Sequence, residues 1–178
     1  FLSSSEVYSG LLPPYREDQI GITNTTHPRA CYIEAKRCGE AICEVFRRKG
    51  VNAASARIAL AYGPGTKPHD QRIMNVLIER GLAGSITLHD MGAAIRTYCY
   101  IADTVEILWH IVLRGTKSIY NVGGVSTTSI ESLARQIARL MDVPISVTDS
   151  HQVLTGAPDN VRLDISLMRQ DFNKHNYV

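Results

Sequence analysis

Apolar residues recur along the chain at two spacings, and the switches between them predict strands and helices in turn. The opening run FLSSSEVY (1–8) reads as the end of a buried strand entering a polar loop, where a parallel sheet presents its functional groups. Residues 10–28 are rich in Gly, Pro, Thr and Asn without periodicity, which predicts a long surface connection of the kind that often carries function. From 29 to 49, Ala35, Cys38, Ile42, Val45 and Phe46 recur at helical spacing and Gly50 supplies a stop, so this segment is expected to be a helix. The short-chained apolar run 51–62, followed by Gly63-Pro64-Gly65, predicts one strand ending in a tight turn. Strand, helix and strand together make a crossover unit.

Downstream the same two periods continue. Ile73, Met74, Leu77 and Ile78 share a face, predicting a helix over 70–80 with Asp70 as its N-cap and Gly81 as its terminator. A short strand is expected at 86–88, an extended segment at 97–101, and a helix over 103–113 capped by Asp103 and closed by Gly115. Another strand falls at 119–122. Thr128 and Glu131, three apart at the head of an amphipathic run reaching Met141, read as a capping box. Residues 145–147 make a last short strand, and the tail from 150 reads as irregular with one helical turn near Ser166. The class is α/β, with no internal repeat.

Composition narrows the partners only a little. The 178 residues are 44% apolar and 20% charged, the profile of a globular domain and not of a disordered chain. A formal charge of +2 leaves no electrostatic footprint for nucleic acid or an anionic membrane. The longest strongly apolar stretch, 107–113, falls far short of the roughly 20 residues that a bilayer span needs. Cys31, Cys38, Cys43 and Cys99 show no metal-finger spacing and are expected to be buried free thiols, and the six histidines are scattered, so no metal is assigned. Without a signal-peptide pattern, the expected compartment is the cytoplasm.

Tyr32 and Lys36 lie four apart in the predicted helix, so both side chains emerge on one face a turn apart. A phenol ordinarily loses its proton near pH 10, and a neighbouring cation is what would make it a useful base; Lys36 can be that cation. Ser3-Ser4-Ser5-Glu6 stands at a strand end, with a loop after it long enough to bring the helix alongside.

Here the sequence resembles the extended short-chain dehydrogenases that act on nucleotide sugars, the NAD-dependent epimerase, dehydratase and decarboxylase superfamily. The resemblance rests on SSSEVY (3–8), YIEAKRCGE (32–40), RIALAYGPG (57–65), IRTYCYIAD (95–103), YNVGG (120–124) and RLDIS (162–166). It implies that Tyr32 is the catalytic base and that Lys36 binds the nicotinamide ribose of NAD and favours the Tyr32 phenolate. Ser4 would hydrogen-bond the reacting sugar hydroxyl, and Arg96 and Arg162 would hold the nucleotide diphosphate, with Arg72 a weaker third candidate. Glu6 would present a carboxylate to C5 or C6 of a sugar oxidised at C4. Ser5 stands where dehydratases of the family carry Asp, and SSE with YxExKR resembles UDP-glucuronate decarboxylases and some 4-epimerases. A 4,6-dehydratase is the alternative, as is a non-catalytic NAD-sensing or scaffold member of the fold. Leu60 replaces the Asn usual in the family's RxxNxYGP.

The resemblance further implies a doubly wound, Rossmann-type parallel sheet with a smaller α/β substrate-binding domain. Residues 1–64 are expected to belong to the NAD-binding domain, and 65–178 mainly to the nucleotide-sugar domain with some elements returning to the first sheet. The glycine-rich fingerprint for the NAD pyrophosphate is absent from these 178 residues, so the expectation is a portion of a longer protein, inactive by itself. A homodimer using the Tyr32 helix is expected by the same analogy.

Overall fold

The chain begins on a parallel ladder. In the computed structural model, which describes residues 1–147 and 159–178, β1 (Leu2–Ser4) pairs with β2 (Ser55–Ile58), and β2 with β6 (Ile119–Val122), all parallel. Between β1 and β2 the chain forms a 3-10 helix (Ser5–Tyr8), the long connection, and α1 (Ala30–Arg48). Successive β2 residues face opposite sides. Arg57 reaches Glu40 on α1, whereas Ala56 joins the core of Ile107 and Ile111 on α3 (Ile101–Arg114), so helices cover both faces. Tyr120, Val122, Met168 and Phe172 complete that core, the last two from α5 (Ser166–Phe172).

A second sheet is built around β5 (Ile95–Tyr100), which pairs in parallel with β3 (Leu60–Tyr62) and β9 (Asn160–Val161) and antiparallel with β7 (Ser126–Ser129). Beside it, β4 (Ile86–Leu88) and β8 (Ile145–Val147) form a parallel pair. α2 (Ile73–Leu82) and α4 (Ile130–Met141) pack together around Leu77, Ile86, Leu88, Tyr98 and Ile137. Among the described residues no helix is long and apolar enough to cross a membrane.

The apolar run 51–62 is not one strand. β1 leaves the ladder at Ser4 to enter its 3-10 helix, and β6 ends at Val122, so beyond Ile58 the first sheet offers no further partner. Ala59 donates its N–H to Val122 O, and from Leu60 the chain pairs with β5 instead. α2 begins at Ile73, not Asp70, whose carboxylate accepts the Arg72 N–H in a turn before the helix. Gly81 lies inside that helix, where a β-carbon would meet Met141 Sδ at 2.3 Å, and the turn out of the helix uses Gly84 at φ +99°.

Two other caps move for tertiary reasons. Asp103 sits within the first turn of α3, buried against Lys174 Nζ at 2.8 Å, and Tyr100 holds the N-cap position. Ser129, not Thr128, caps α4 by accepting the Ser132 N–H at 3.0 Å, while Glu131 pairs with Arg135 instead of closing a capping box. Thr128 is taken up by β7, a strand the pattern does not predict. Cys31 and Cys38 are exposed and Cys43 half-buried, because they lie off the sheet-facing side of α1; only Cys99 is a buried thiol. The start of the predicted irregular tail, 150–158, lies outside the described residues.

Candidate active site

The site begins where β1 ends. Ser4 is extended (φ −142°, ψ 148°), and its Oγ accepts the Glu6 N–H at 3.2 Å, capping the 3-10 helix. A hydroxyl that accepts in this way keeps its own proton to donate. Ser3 serves structure instead: its Oγ donates to Glu40 Oε1 at 2.5 Å in a buried network with Arg57. The cap turns Glu6 toward the start of α1, where both its carboxylate oxygens accept from Arg29, Nε to Oε2 and Nη2 to Oε1, each at 2.5 Å.

α1 supplies the remaining chemistry. Ala30, Ile33 and Glu40 bury its sheet-facing side, which fixes the phase of Tyr32 and Lys36. Lys36 Nζ donates to Leu2 O at 2.9 Å, anchoring the ammonium to β1, and it stands 5.6 Å from the Tyr32 ring centroid. Arg29 Cζ lies 5.2 Å from the same centroid, so two cations flank a ring that is 41% exposed. Arg29 thus links Glu6 to Tyr32, Ser4 caps the turn that carries Glu6, and Lys36 is tied to Leu2 at the start of β1.

A cavity of about 290 Å³ opens beside this corner, with Ser5, Glu6, His27 and Ile33 on one side and Tyr15 and Asn160 on the other. Tyr15 fixes the far wall: its OH donates to Asn160 O at 3.0 Å, its N–H to Arg162 O at 2.9 Å, and its carbonyl accepts from Asp164 N at 2.8 Å. Asn160 Oδ1 is buried with no hydrogen-bond partner among the described residues, an acceptor left over on a cavity wall.

Arg96 approaches from β5. Burial pushes its guanidinium below the usual arginine range, opposed by Tyr98 and by Asp159 and Tyr15, both of which line the cavity. Its one hydrogen bond among the described residues runs from Nη1 to Ile95 O, 2.8 Å, and no described carboxylate forms an ion pair with it. Asp159 acts on it as a counter-charge, and a half-buried guanidinium with so little described hydrogen bonding suits an anion. The ladder pairs Arg96 with Val161, so the exposed Arg162 falls on the alternate position, and the two guanidiniums do not share a face. Arg72 is engaged with Asp70 away from the cavity, holding that carboxyl at about 2. Leu60 packs into the second core and brings no amide. Gly63 and Gly65 have positive φ and belong to a turn. Among the described residues, no three His, Cys, Asp or Glu side chains gather as a metal site.

Arg29 and Asn160 escape sequence reasoning. Arg29 stands directly before the YxxxK helix, but its partner is 23 residues back across an aperiodic loop. Asn160 precedes RLDIS by two residues, and its place on the cavity wall comes from the Tyr15 hydroxyl and from pairing with Ile95 on β5, both remote in sequence.

A parallel sheet covered on both faces, with a cavity at the carboxyl end of β1, defines a Rossmann-type α/β protein. The chain belongs to the NAD dependent epimerase/dehydratase family, whose model matches residues 1–123. It is 33% identical over 142 residues to UDP-glucuronic acid decarboxylase 1 of Xenopus tropicalis, covering 78% of this chain and 34% of the relative. With UDP-glucuronic acid decarboxylase 5 of Arabidopsis thaliana the identity is 29% over 163 residues, 90% of this chain and 47% of the relative. The chain thus spans a third to a half of these curated relatives. Its fold superposes on UDP-glucuronic acid 4-epimerase from Bacillus cereus with a TM-score of 0.82 at 22% identity, covering 99% of this chain and 55% of that one. The dTDP-glucose 4,6-dehydratase from Bacillus anthracis gives 0.79 at 18%, with 98% and 55% covered.

Proposed function

We propose that the protein containing this chain is an NAD-dependent enzyme that modifies a UDP-sugar through a 4-keto intermediate, as a decarboxylase or a 4-epimerase of a uronic acid. The observation that carries the reading is that Ser4 and Glu6, at the carboxyl end of β1, stand beside the Tyr32 and Lys36 face of α1, with Arg29 joining Glu6 to Tyr32 and Glu6 on a cavity wall. The decarboxylase relatives cover most of this chain and agree with it.

The residues present suit the nicotinamide end of NAD: an ammonium held on a strand-end carbonyl next to a phenol can engage a ribose hydroxyl. NAD, when bound, supplies the acceptor for the hydride from sugar C4. Tyr32 takes the proton of the 4-hydroxyl, assisted by the cations over its ring. Ser4, its lone pair committed to the Glu6 N–H, donates to the same sugar oxygen and orients it. The resulting ketone lets a C5 carboxylate leave as carbon dioxide, or lets the sugar turn and regain hydrogen on its other face. Arg96 holds a diphosphate oxygen, and Arg162, on the alternate face, is left out of that contact. The outer face of α1, with Cys38, Ile42 and Val45 exposed, suits a second copy of the chain in a homodimer.

Arg96→Ala is expected to weaken UDP-sugar affinity by roughly 10- to 100-fold, the loss of a charge-assisted hydrogen bond, with little change in kcat. Calorimetric titration with UDP-glucuronate measures it, and unchanged affinity removes Arg96 from the site. The reading as a whole is tested by incubating the protein with NAD and UDP-glucuronate and following product mass. Loss of carbon dioxide marks a decarboxylase, and unchanged mass with a new retention time marks an epimerase. Loss of water from a dTDP- or UDP-hexose would instead establish the dehydratase.

A further inference from the structure

Arg29 lies outside the catalytic group just described, yet it touches two members of it. Its backbone is fixed at the head of α1: its N–H donates to His27 Nδ1 at 3.2 Å and its carbonyl accepts from Ile33 N at 3.0 Å. From there the guanidinium grips both Glu6 oxygens and lies 5.2 Å from the Tyr32 ring centroid. Residues 29, 32 and 36 follow spacings of three and four, so one face of α1 presents cation, phenol and cation in a row. Glu6 lines the cavity, whereas Arg29 stands behind it.

We propose that Arg29 is a positioning residue that joins Glu6 to Tyr32, fixing the Glu6 carboxylate as a proton acceptor and adding a second cation to the Tyr32 ring. The inference rests on the reaction proposed above and assigns a residue to it that none of the family motifs contains. A carboxylate with each oxygen taken by a guanidinium N–H has acceptor capacity left and no proton to give. Glu6 then accepts a hydrogen bond from a water beside C5, since a uronic acid carries no hydroxyl at C5 or C6. It cannot serve as the acid that a departing hydroxyl needs, so the pair turns the site away from dehydration. Arg29 also places a second cation over the Tyr32 ring, 5.2 Å from its centroid. Its own guanidinium is held above the usual range by the hydrogen bond to Glu6, against the opposing effect of burial. A lysine could supply the charge but not the two-pronged grip.

The test compares wild type, Arg29→Gln, Glu6→Gln and the double variant in the NAD-loaded protein with UDP-glucuronate. Arg29→Gln is expected to lower kcat roughly 100-fold with KM within about threefold, the size of a positioned acid–base contribution. The double variant should cost little more than the worse single, because the two residues act as one unit. Arg29→Lys should recover only a small part. Because the pair is half exposed, it adds little to stability and the variants should fold. A second readout does not need turnover: calorimetric affinity for UDP-glucuronate should stay within about threefold of wild type in Arg29→Gln, since Arg29 positions other groups and does not hold the substrate. Independent, multiplying losses in kcat, or a loss of affinity as large as the loss in kcat, would overturn the proposal. Should wild type convert no nucleotide sugar, the reaction reading fails, whereas a wild type that turns over beside an Arg29→Gln variant with full kcat overturns only the role of Arg29.

Discussion

Replacement of Tyr32 by Phe is expected to lower turnover by roughly 10³-fold or more while UDP-sugar affinity stays within about threefold. The substitution removes one oxygen and leaves the ring between Arg29 and Lys36, so the packing of α1 on β1 is preserved. What is lost is the one group at this corner that can be both a strong base as phenolate and an acid on return of the proton. Ser4 cannot substitute, because its hydroxyl is unactivated and already bound to the Glu6 N–H. Glu6 cannot either, because a carboxylate is far too weak a base to take the proton of an alcohol. Steady-state kinetics together with titration calorimetry separate the two effects; appreciable turnover by the variant would transfer the base role elsewhere.

The second large effect concerns stability. Arg57 and Glu40 form a two-pronged ion pair, Nη2 to Oε2 at 2.8 Å and Nε to Oε1 at 2.9 Å, with side chains only 3% and 8% exposed. Arg57 further donates to the carbonyls of Glu17 and Gln19 and lies 4.7 Å from the Tyr8 ring centroid, while Ser3 donates to Glu40. Burial pushes the Tyr8 phenol up to about 12 despite the nearby Arg57, so its hydroxyl stays protonated and donates to Asn121 Oδ1 at 2.7 Å. The network thus ties β1, the 3-10 helix, the long connection and α1 together directly beneath Ser4 and Glu6. Glu40→Gln leaves the Arg57 charge buried without a counter-ion and is expected to cost about 3–5 kcal/mol. Replacing both partners by apolar residues, Glu40→Leu with Arg57→Met, should cost less than Glu40→Gln alone, since no orphaned charge remains. Denaturant midpoints of the three proteins check the order, and an equal loss in single and double variants would contradict it.

The parts legible in the sequence were those fixed by local chemistry. α1 announced itself because Ala35, Cys38, Ile42 and Val45 keep helical phase over about three turns. The Tyr32–Lys36 relation followed from that helix alone. Where partners are remote, the pattern was mute. Nothing local to 51–62 says that the first sheet runs out of neighbours at Ile58, since that depends on where β1 and β6 end. Asp103 looks like a cap until Lys174, 71 positions away, claims it. Arg29 sits beside a recognisable motif, but its meaning lies in Glu6 across a loop without periodicity. The apolar side chains on the outer face of α1 carry the same helical signal whether or not another surface covers them, which is why the exposure of Cys31 and Cys38 could not be read from spacing.

The most direct test of the central claim is turnover of UDP-glucuronate carrying deuterium at C4, compared with unlabelled substrate in the NAD-loaded protein. If Tyr32 works by opening the C4 hydroxyl to oxidation, the first turnover slows with the label and reduced-nicotinamide absorbance rises transiently. Equal rates for the two substrates, with product formed and no such absorbance, would contradict the account.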